Sequence, residues 1–226
     1  MDDPKVILLV PLYRSIPSSS VAALLQLISE VSKSGYLGGI NMQVDLYIST
    51  ARNKLAMAAL DAWKAGEATH AFWVDDDMSV PPGALEQLLA HDKHVVSGLY
   101  YCRDLKPCVF DLEPFGKWEE APKTGLQQVE CTGFGCLLMR IKVLSDMMEM
   151  WGDTAWFQTP HNTKKDGGIA MTGEDVFFFE RLKEMGIPAY LDCDVKPDHV
   201  GSMVFNEVLV NAVKSVEGIT IGDHRR

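Results

Sequence analysis

The sequence predicts an α/β fold: a mixed, mainly parallel sheet with helices packed against it. Strand-like apolar segments alternate with segments of helical periodicity through the first hundred residues. The first of them, "KVILLVPLY", is apolar throughout, as in strands covered on both faces. Capping residues in front and glycines behind bracket the helical segments.

Element by element, "KVILLVPLY" opens the sheet and is broken at Pro11. "SSSVAALLQLISEVSKSG" follows as a helix, with serines to cap it and Gly35 to end it. "GINMQVDLYIS" alternates as a second strand. "STARNKLAMAALDAWKAG" is a helix capped by Ser49 or Thr50, with Leu55, Ala59, Ala62 and Trp63 on one face and Gly66 behind. "HAFWVD" is the third strand, "VPPGALEQLLAHD" a helix opened by prolines, and "HVVSGLYY" the fourth strand. From Cys102 to Ile141 the character changes, and "PCVFDLE", "LQQVECT" and "GCLLMRI" are expected to add antiparallel strands at the sheet edge. "KVLSDMMEMWG" is a helix and "HNTKKDGG" a polar, flexible loop. "TGEDVFFFERLKEMG" is a capped helix, "IPAYLDCD" a last strand, and an apolar-patterned tail follows.

The 226 residues fit one α/β domain with excursions, and a hydrophobic fraction of 47% is ample for a sizeable core. A net charge of −10 argues against a nonspecific grip on nucleic acid. The five cysteines (Cys102, Cys108, Cys131, Cys136 and Cys193) form no CxxC pair, so reduced thiols packed as small hydrophobes are expected. The N-terminal apolar run is too short and too acidic in front for a signal peptide. No apolar segment approaches the roughly 20 residues needed to span a bilayer. These features lead to the expectation of a cytoplasmic protein with no membrane span.

The chemistry concentrates in "HAFWVDDDMSVPPG". Three adjacent carboxylates repel one another, and nothing in local folding asks for them. Strand alternation puts Asp75 and Asp77 on one side and Asp76 on the other. The carboxyl end of a parallel strand is where open α/β sheets bind ligands. Two oxygen donors there suit Mg²⁺ or Mn²⁺, which would offset the repulsion and bridge to a diphosphate. A solvated turn is the plainer alternative.

Four pieces in order, "VILLVPLY", "TARNKLA", "WVDDDM" and the later pair "TGED" and "KPDHVG", resemble glycosyltransferases of the GT-A fold, in the broad manner of the family 2 enzymes. The resemblance covers the chain to about Gly201. It implies a Rossmann-like GT-A catalytic domain over residues 1–201, with a nucleotide-binding half to about 101, an acceptor-binding half beyond it, and a tail or helix over 202–226. By the same motif, Asp75 faces the ribose and shares in metal binding, Asp76 assists at the nucleotide, and Asp77 is the metal ligand. A late histidine, here His199, completes the ligands and tilts the metal toward manganese over magnesium, with Asp198 in reserve.

The loop of Pro11, Tyr13 and Arg14 would cradle the base, with Tyr13 stacking on it or simply packed. Arg52 and Asn53, in the first turn of a helix, would contact the nucleotide or its phosphates; a surface ion pair explains Arg52 equally well. Thr132, Gly133 and Phe134 in "CTGFGCLLM" would line the sugar pocket, although a tight turn also explains the glycines. "TGED" reads either as a loose capping box led by Thr172 or as the catalytic acidic pair, with Asp175 as general base and Glu174 close behind. Trp151, Trp156 and Phe157 offer aromatic faces for sugar or for the core.

The resemblance therefore implies an inverting, metal-dependent transferase using a nucleotide-sugar donor, with a UDP-sugar as the expected one. The alternatives are a nucleotidyltransferase that makes the sugar nucleotide, although "PLYRSIPSSS" lacks its Gly-rich basic loop, and a noncatalytic sugar- or nucleotide-binding protein of the same fold. The acceptor stays open among glycan, protein, small molecule and a hydroxymethylated nucleic-acid base. Lys164 and Lys165, Arg140 and Lys142, and Arg225 and Arg226 are the basic spots available to an anionic one.

Overall fold

Along the first strand, Val6, Leu8 and Val10 pack into one apolar cluster and Ile7 and Leu9 into another, all buried. A strand apolar on both faces must lie inside a sheet covered on both sides, and it does. The computed structural model describes residues 4–13, 16, 18–110, 124–152, 156–163, 169–201 and 204–215. In chain order the first half holds β1 (Val6–Leu12), α1 (Ser18–Lys33), β2 (Leu37–Val44), α2 (Ile48–Lys64), β3 (His70–Val74), β4 (Met78–Ser79), α3 (Ala84–Ala90) and β5 (Val95–Gly98). The middle holds β6 (Val109–Phe110), β7 (Leu126–Val129), β8 (Cys131–Thr132), β9 (Cys136–Arg140) and α4 (Lys142–Trp151). Then come β10 (His161–Thr163), β11 (Ile169–Met171), α5 (Glu174–Glu184), β12 (Ala189–Asp192), β13 (Asp198–Val200), β14 (Val204–Phe205) and α6 (Glu207–Ser215).

Seven strands form the main sheet in the order β2-β1-β3-β9-β5-β12-β7. β1, β2 and β3 run parallel, as do β5 and β12; β9 runs antiparallel to both its neighbours and β7 antiparallel to β12. On one face, Leu24, Leu27 and Val31 of α1 and Leu85 and Leu88 of α3 pack with Leu8, Val10 and Phe72. On the other, α2, α4 and α5 bring Leu55, Leu60, Leu144, Phe178 and Leu182 against Ile7, Leu9 and Trp73. Each such side chain contributes about 1.5–3 kcal/mol by leaving water.

The expected edge strands divide. β7 does extend the sheet at its edge, but β9 is inserted at the centre, between β3 and β5. The reason lies in its side chains: Cys136 and Leu138 join one core and Leu137 and Met139 the other, so both faces need cover. Helix starts also differ from expectation. Asp45 Oδ1 accepts the Tyr47 N–H, which ends β2 early, and α2 begins at Ile48, so Ser49 and Thr50 lie inside it rather than capping it. Pro81 and Pro82 precede α3, whose N-cap is Gly83 at φ 78°, a left-handed conformation that glycine adopts without strain. The first residues of the expected flexible loop form β10, paired antiparallel with β11; residues 164–168 lie outside the described set.

The carboxyl ends of β1, β3, β5 and β12 share one edge of the sheet. A small sheet, β14-β13-β4, crosses that edge. Its pairing of His199 with Met78, and the Val200 N–H bond to the Asp77 carbonyl at 2.7 Å, carry the late part of the chain to the aspartate run.

Candidate active site

β3 stops at Val74, and the Met78 N–H closes a turn on the Asp75 carbonyl at 3.1 Å. Strand alternation therefore does not reach the aspartates, and Asp75 and Asp77 do not converge on one ligand. The three carboxylates instead fan out to separate sets of partners. Asp75 accepts from Arg52 through both oxygens, at 3.0 and 3.2 Å. Asp76 accepts the Tyr13 N–H at 3.1 Å. Asp77 Oδ2 meets His199 Nε2 at 3.0 Å and Arg103 Nη2 at 2.7 Å.

Arg52, expected to touch a nucleotide or to sit at the surface, is only 4% exposed. Its other terminal nitrogen, Nη1, donates to Glu174 Oε1 at 2.5 Å, and its guanidinium lies over the Phe134 ring, 5.1 Å from the centroid. Nε has no partner among the described residues. Burial opposes the charge, but Asp75, Glu174 and Asp175 outweigh it and hold the guanidinium firmly protonated. The arginine thus ties the end of β3 to the start of α5. Glu174 feels the same surroundings from the other side. Burial raises its pKa, Asp175 adds to this, and Arg52 pulls it only partway back.

At the start of α5 no capping box forms. Gly173, in extended backbone, is the N-cap with no side-chain bond, so Thr172 does not play that part. Asp175 Oδ1 accepts the Val176 N–H at 2.8 Å, within the first turn of the helix.

His199 is oriented from behind, its Nδ1 lying 3.1 Å from the Tyr101 carbonyl. A carbonyl only accepts, so Nδ1 carries the hydrogen. Nε2 then faces a carboxylate, a contact that requires either a second proton or a cation between them. Burial opposes the imidazolium, yet Asp77 outweighs it and holds the histidine above its usual range. Burial likewise raises Asp77, and the bonds from His199 and Arg103 bring it below the usual carboxylate value. Among the described residues no cluster of three or more His, Cys, Asp or Glu side chains is arranged for a metal. The pair Asp77–His199 offers one oxygen and one nitrogen donor, and Asp75 lies apart on Arg52.

Several expected donor contacts are turned inward. Asn53 bonds the backbone of Phe157 on both sides of its amide, at 2.7 and 3.1 Å. Thr132 is fully buried and donates to the Cys108 carbonyl at 2.7 Å. Phe134 is 1% exposed, at the centre of an aromatic cluster with Trp73, Phe157 and Phe178. Neither side chain reaches a surface where a sugar could touch it. Gly133 answers to packing as well, since a Cβ there would meet the Tyr100 hydroxyl at 2.0 Å and Cys108 Sγ at 2.5 Å. Trp156 and Phe157 are core residues, and Pro11 is buried within β1. Tyr13 alone of the expected base-binding loop stands out at 56% exposure; Arg14 lies outside the described residues.

Of the basic spots, Arg140 pairs with Asp92 and Lys142 with Asp146, so both are balanced by acids; Lys164, Lys165, Arg225 and Arg226 lie outside the described residues. Cys108, Cys131, Cys136 and Cys193 are buried free thiols, as expected, and Cys102 is half-buried. Arg103 was not singled out by sequence. It is one basic residue in a turn, and its only signal is its place just beyond a strand at the ligand-binding edge.

No family model matches the chain, and no curated protein matches it in sequence. Solved structures match in fold. A197 from STIV superposes with a TM-score of 0.55 at 18% identity, over 88% of this chain and 86% of that one. GalNAc-T7, solved with UDP, GalNAc and Mn²⁺, does so with a TM-score of 0.53 at 11% identity, over 97% of this chain and 52% of that one. The chain thus spans about half of the latter. At these identities the likeness concerns fold alone, and this chain's mainly parallel seven-stranded sheet between helical layers is of the GT-A type. No helix among the described residues is long and apolar enough to cross a membrane.

Proposed function

We propose that the protein is a metal-dependent glycosyltransferase that moves a sugar from a nucleotide-diphosphate donor, a UDP-sugar, to an acceptor hydroxyl. The observation that carries this reading is the facing pair Asp77–His199, with His199 Nδ1 held by a backbone carbonyl and Nε2 turned to the carboxylate. Where a proton now satisfies that pair, a divalent cation can take its place, bound by one carboxylate oxygen and one imidazole nitrogen. Such a mixed donor set suits Mn²⁺. The backbone bond behind the imidazole is the orienting contact that metal-binding histidines need. Two protein ligands leave coordination positions for diphosphate oxygens and water. A cation held there supplies positive charge to the departing diphosphate.

The rest of the reaction falls to the chain's own side chains. Exposed Tyr13 stacks on the base, and Asp75, fixed by Arg52, accepts from the ribose. Asp175 takes the acceptor proton as the acceptor oxygen attacks the anomeric carbon, and the bond from that carbon to the phosphate oxygen breaks with its electrons leaving on the diphosphate. Attack from the side opposite the leaving group inverts the centre. Glu174 is the weaker base candidate, being committed to Arg52. That GalNAc-T7 was solved with UDP, GalNAc and Mn²⁺ supports this choice of donor and cation.

The test is to incubate the protein with Mn²⁺ and a panel of UDP-sugars and to measure UDP release. Slow release from one donor, lost in Asp77→Ala, is the expected result. Release that persists in Asp77→Ala overturns the mechanism, and absence of release from every nucleotide-sugar favours a noncatalytic binding protein.

A further inference from the structure

Arg103 shares the carboxylate oxygen on which the cation of the proposed site would rest. Its Nη2 lies 2.7 Å from Asp77 Oδ2, the same oxygen that faces His199. The two ends of this ion pair are held differently. The Asp77 side chain is 16% exposed and its backbone carbonyl is tied to the Val200 N–H, whereas the Arg103 side chain is 61% exposed. Arg103 sits at the tip of a tight turn closed by the Cys102 N–H on the Lys106 carbonyl and the Leu105 N–H on the Cys102 carbonyl. The same hairpin supplies the Tyr101 carbonyl that orients His199.

A divalent cation on Asp77 Oδ2 and a guanidinium on that same oxygen repel each other, so each weakens the hold of the carboxylate on the other. The long, exposed side chain is the one that moves. Once displaced, it remains within reach of whatever the cation has brought, and a guanidinium pairs well with phosphate oxygens.

We infer that Arg103 is a leaving-group residue with two positions. Without ligand it neutralises Asp77 and competes with the cation, and with donor bound it releases Asp77 and pairs with the diphosphate. The inference rests on the metal reading of Asp77 and His199. Its consequence is coupling: the site disfavours a bare cation and favours a cation that arrives with a nucleoside diphosphate, because only the latter offers Arg103 a new partner.

Mn²⁺ binding followed by the electron paramagnetic resonance signal of the free ion, with and without UDP, tests this on wild type, Arg103→Ala, Arg103→Lys and Asp77→Ala. Arg103→Ala is expected to bind Mn²⁺ alone about 5–10-fold more tightly than wild type and UDP in the presence of Mn²⁺ about 10-fold more weakly, with Arg103→Lys between. The residue is exposed, so its removal leaves the fold intact; circular dichroism verifies this. Unchanged or weakened Mn²⁺ binding in Arg103→Ala, while wild type binds and Asp77→Ala does not, overturns the role of Arg103 and leaves the metal site standing. No Mn²⁺ binding by wild type, with or without UDP, overturns the metal site and this inference with it.

Discussion

His199 Nε2 lies 3.0 Å from Asp77 Oδ2, although 122 residues separate the two in sequence. If they are joint cation ligands, His199→Ala should raise the Mn²⁺ concentration for half-maximal UDP release by about 100-fold or more, with much of the rate recovered at saturating Mn²⁺. UDP release as a function of Mn²⁺ concentration measures this. An unchanged half-saturation point removes His199 from the ligand set.

Arg52 is a different kind of tie. Its guanidinium, 5% exposed at the side chain, joins Asp75 and Glu174. Removing it leaves two carboxylates unpaired beside Asp175, and breaking a buried pair costs about 3–5 kcal/mol. Arg52→Met should therefore lower the melting temperature by roughly 10 °C for a chain of this length, with Arg52→Lys in between because it keeps the charge and loses the fork. Adding Glu174→Gln to Arg52→Met should recover part of the loss in thermal melts, since one orphaned charge is gone. A melting temperature unmoved by Arg52→Met contradicts the structural role.

The two acids of "TGED" should separate by what they disturb. Among the described residues Asp175 hydrogen-bonds only within its own helix turn, while Glu174 completes the Arg52 bridge. Asp175→Asn should reduce transfer by about 10²–10⁴-fold, the range of a general base, at a melting temperature near that of wild type. Glu174→Gln should lower the melting temperature and slow transfer less. Parallel turnover and melting measurements decide, and loss of turnover in Glu174→Gln alone, at unchanged stability, exchanges the roles.

The parallel half of the sheet was legible because its strands announce themselves. β1 is an uninterrupted apolar run and β3 is one after His70, and the aspartates follow β3 with no local reason to be adjacent. The central place of β9 was not legible, since four apolar residues look the same at an edge and in the middle until both cores are in view. Arg52 followed the same logic at the level of one side chain. Its partners lie 23 and 122 residues away, so sequence showed the helix turn and not the burial. The Asp77–His199 meeting depends on β4 and β13, strands of two and three residues that carry no periodicity to read. What brought His199 into view was the resemblance alone.

Gly133 offers a direct test of packing against ligand approach. A methyl group there would stand 2.0 Å from the Tyr100 hydroxyl, which itself accepts the Gly135 N–H at 3.1 Å. Gly133→Ala should cost on the order of 1–3 kcal/mol by overpacking, seen as a melting temperature several degrees lower. Gly39→Ala, whose added carbon would come no nearer than 3.7 Å to Ile7, should be close to neutral. Equal effects of the two alanines would contradict the close approach.

His70, at the start of β3 and away from the aspartates, gives the protein an acid-sensitive point. Its Nδ1 lies 2.8 Å from Thr69 Oγ1. Burial first, and Arg140 second, hold the imidazole neutral and bring its pKa down from 6.5 to about 4, with Asp92 pulling the other way. Because the folded value lies below the unfolded one, the contribution to stability is fully present above about pH 6.5 and is lost as the pH falls through about 4. The ring is partly solvated, so the loss should be about 1–2 kcal/mol, less than the full linkage value. His70→Gln removes the titration. Wild type should thus lose a few degrees of melting temperature relative to the variant between pH 7 and pH 4, and the His70 ring should titrate near 4 by NMR. A titration near 6.5 with no relative loss would show that the ring is solvated in the folded protein.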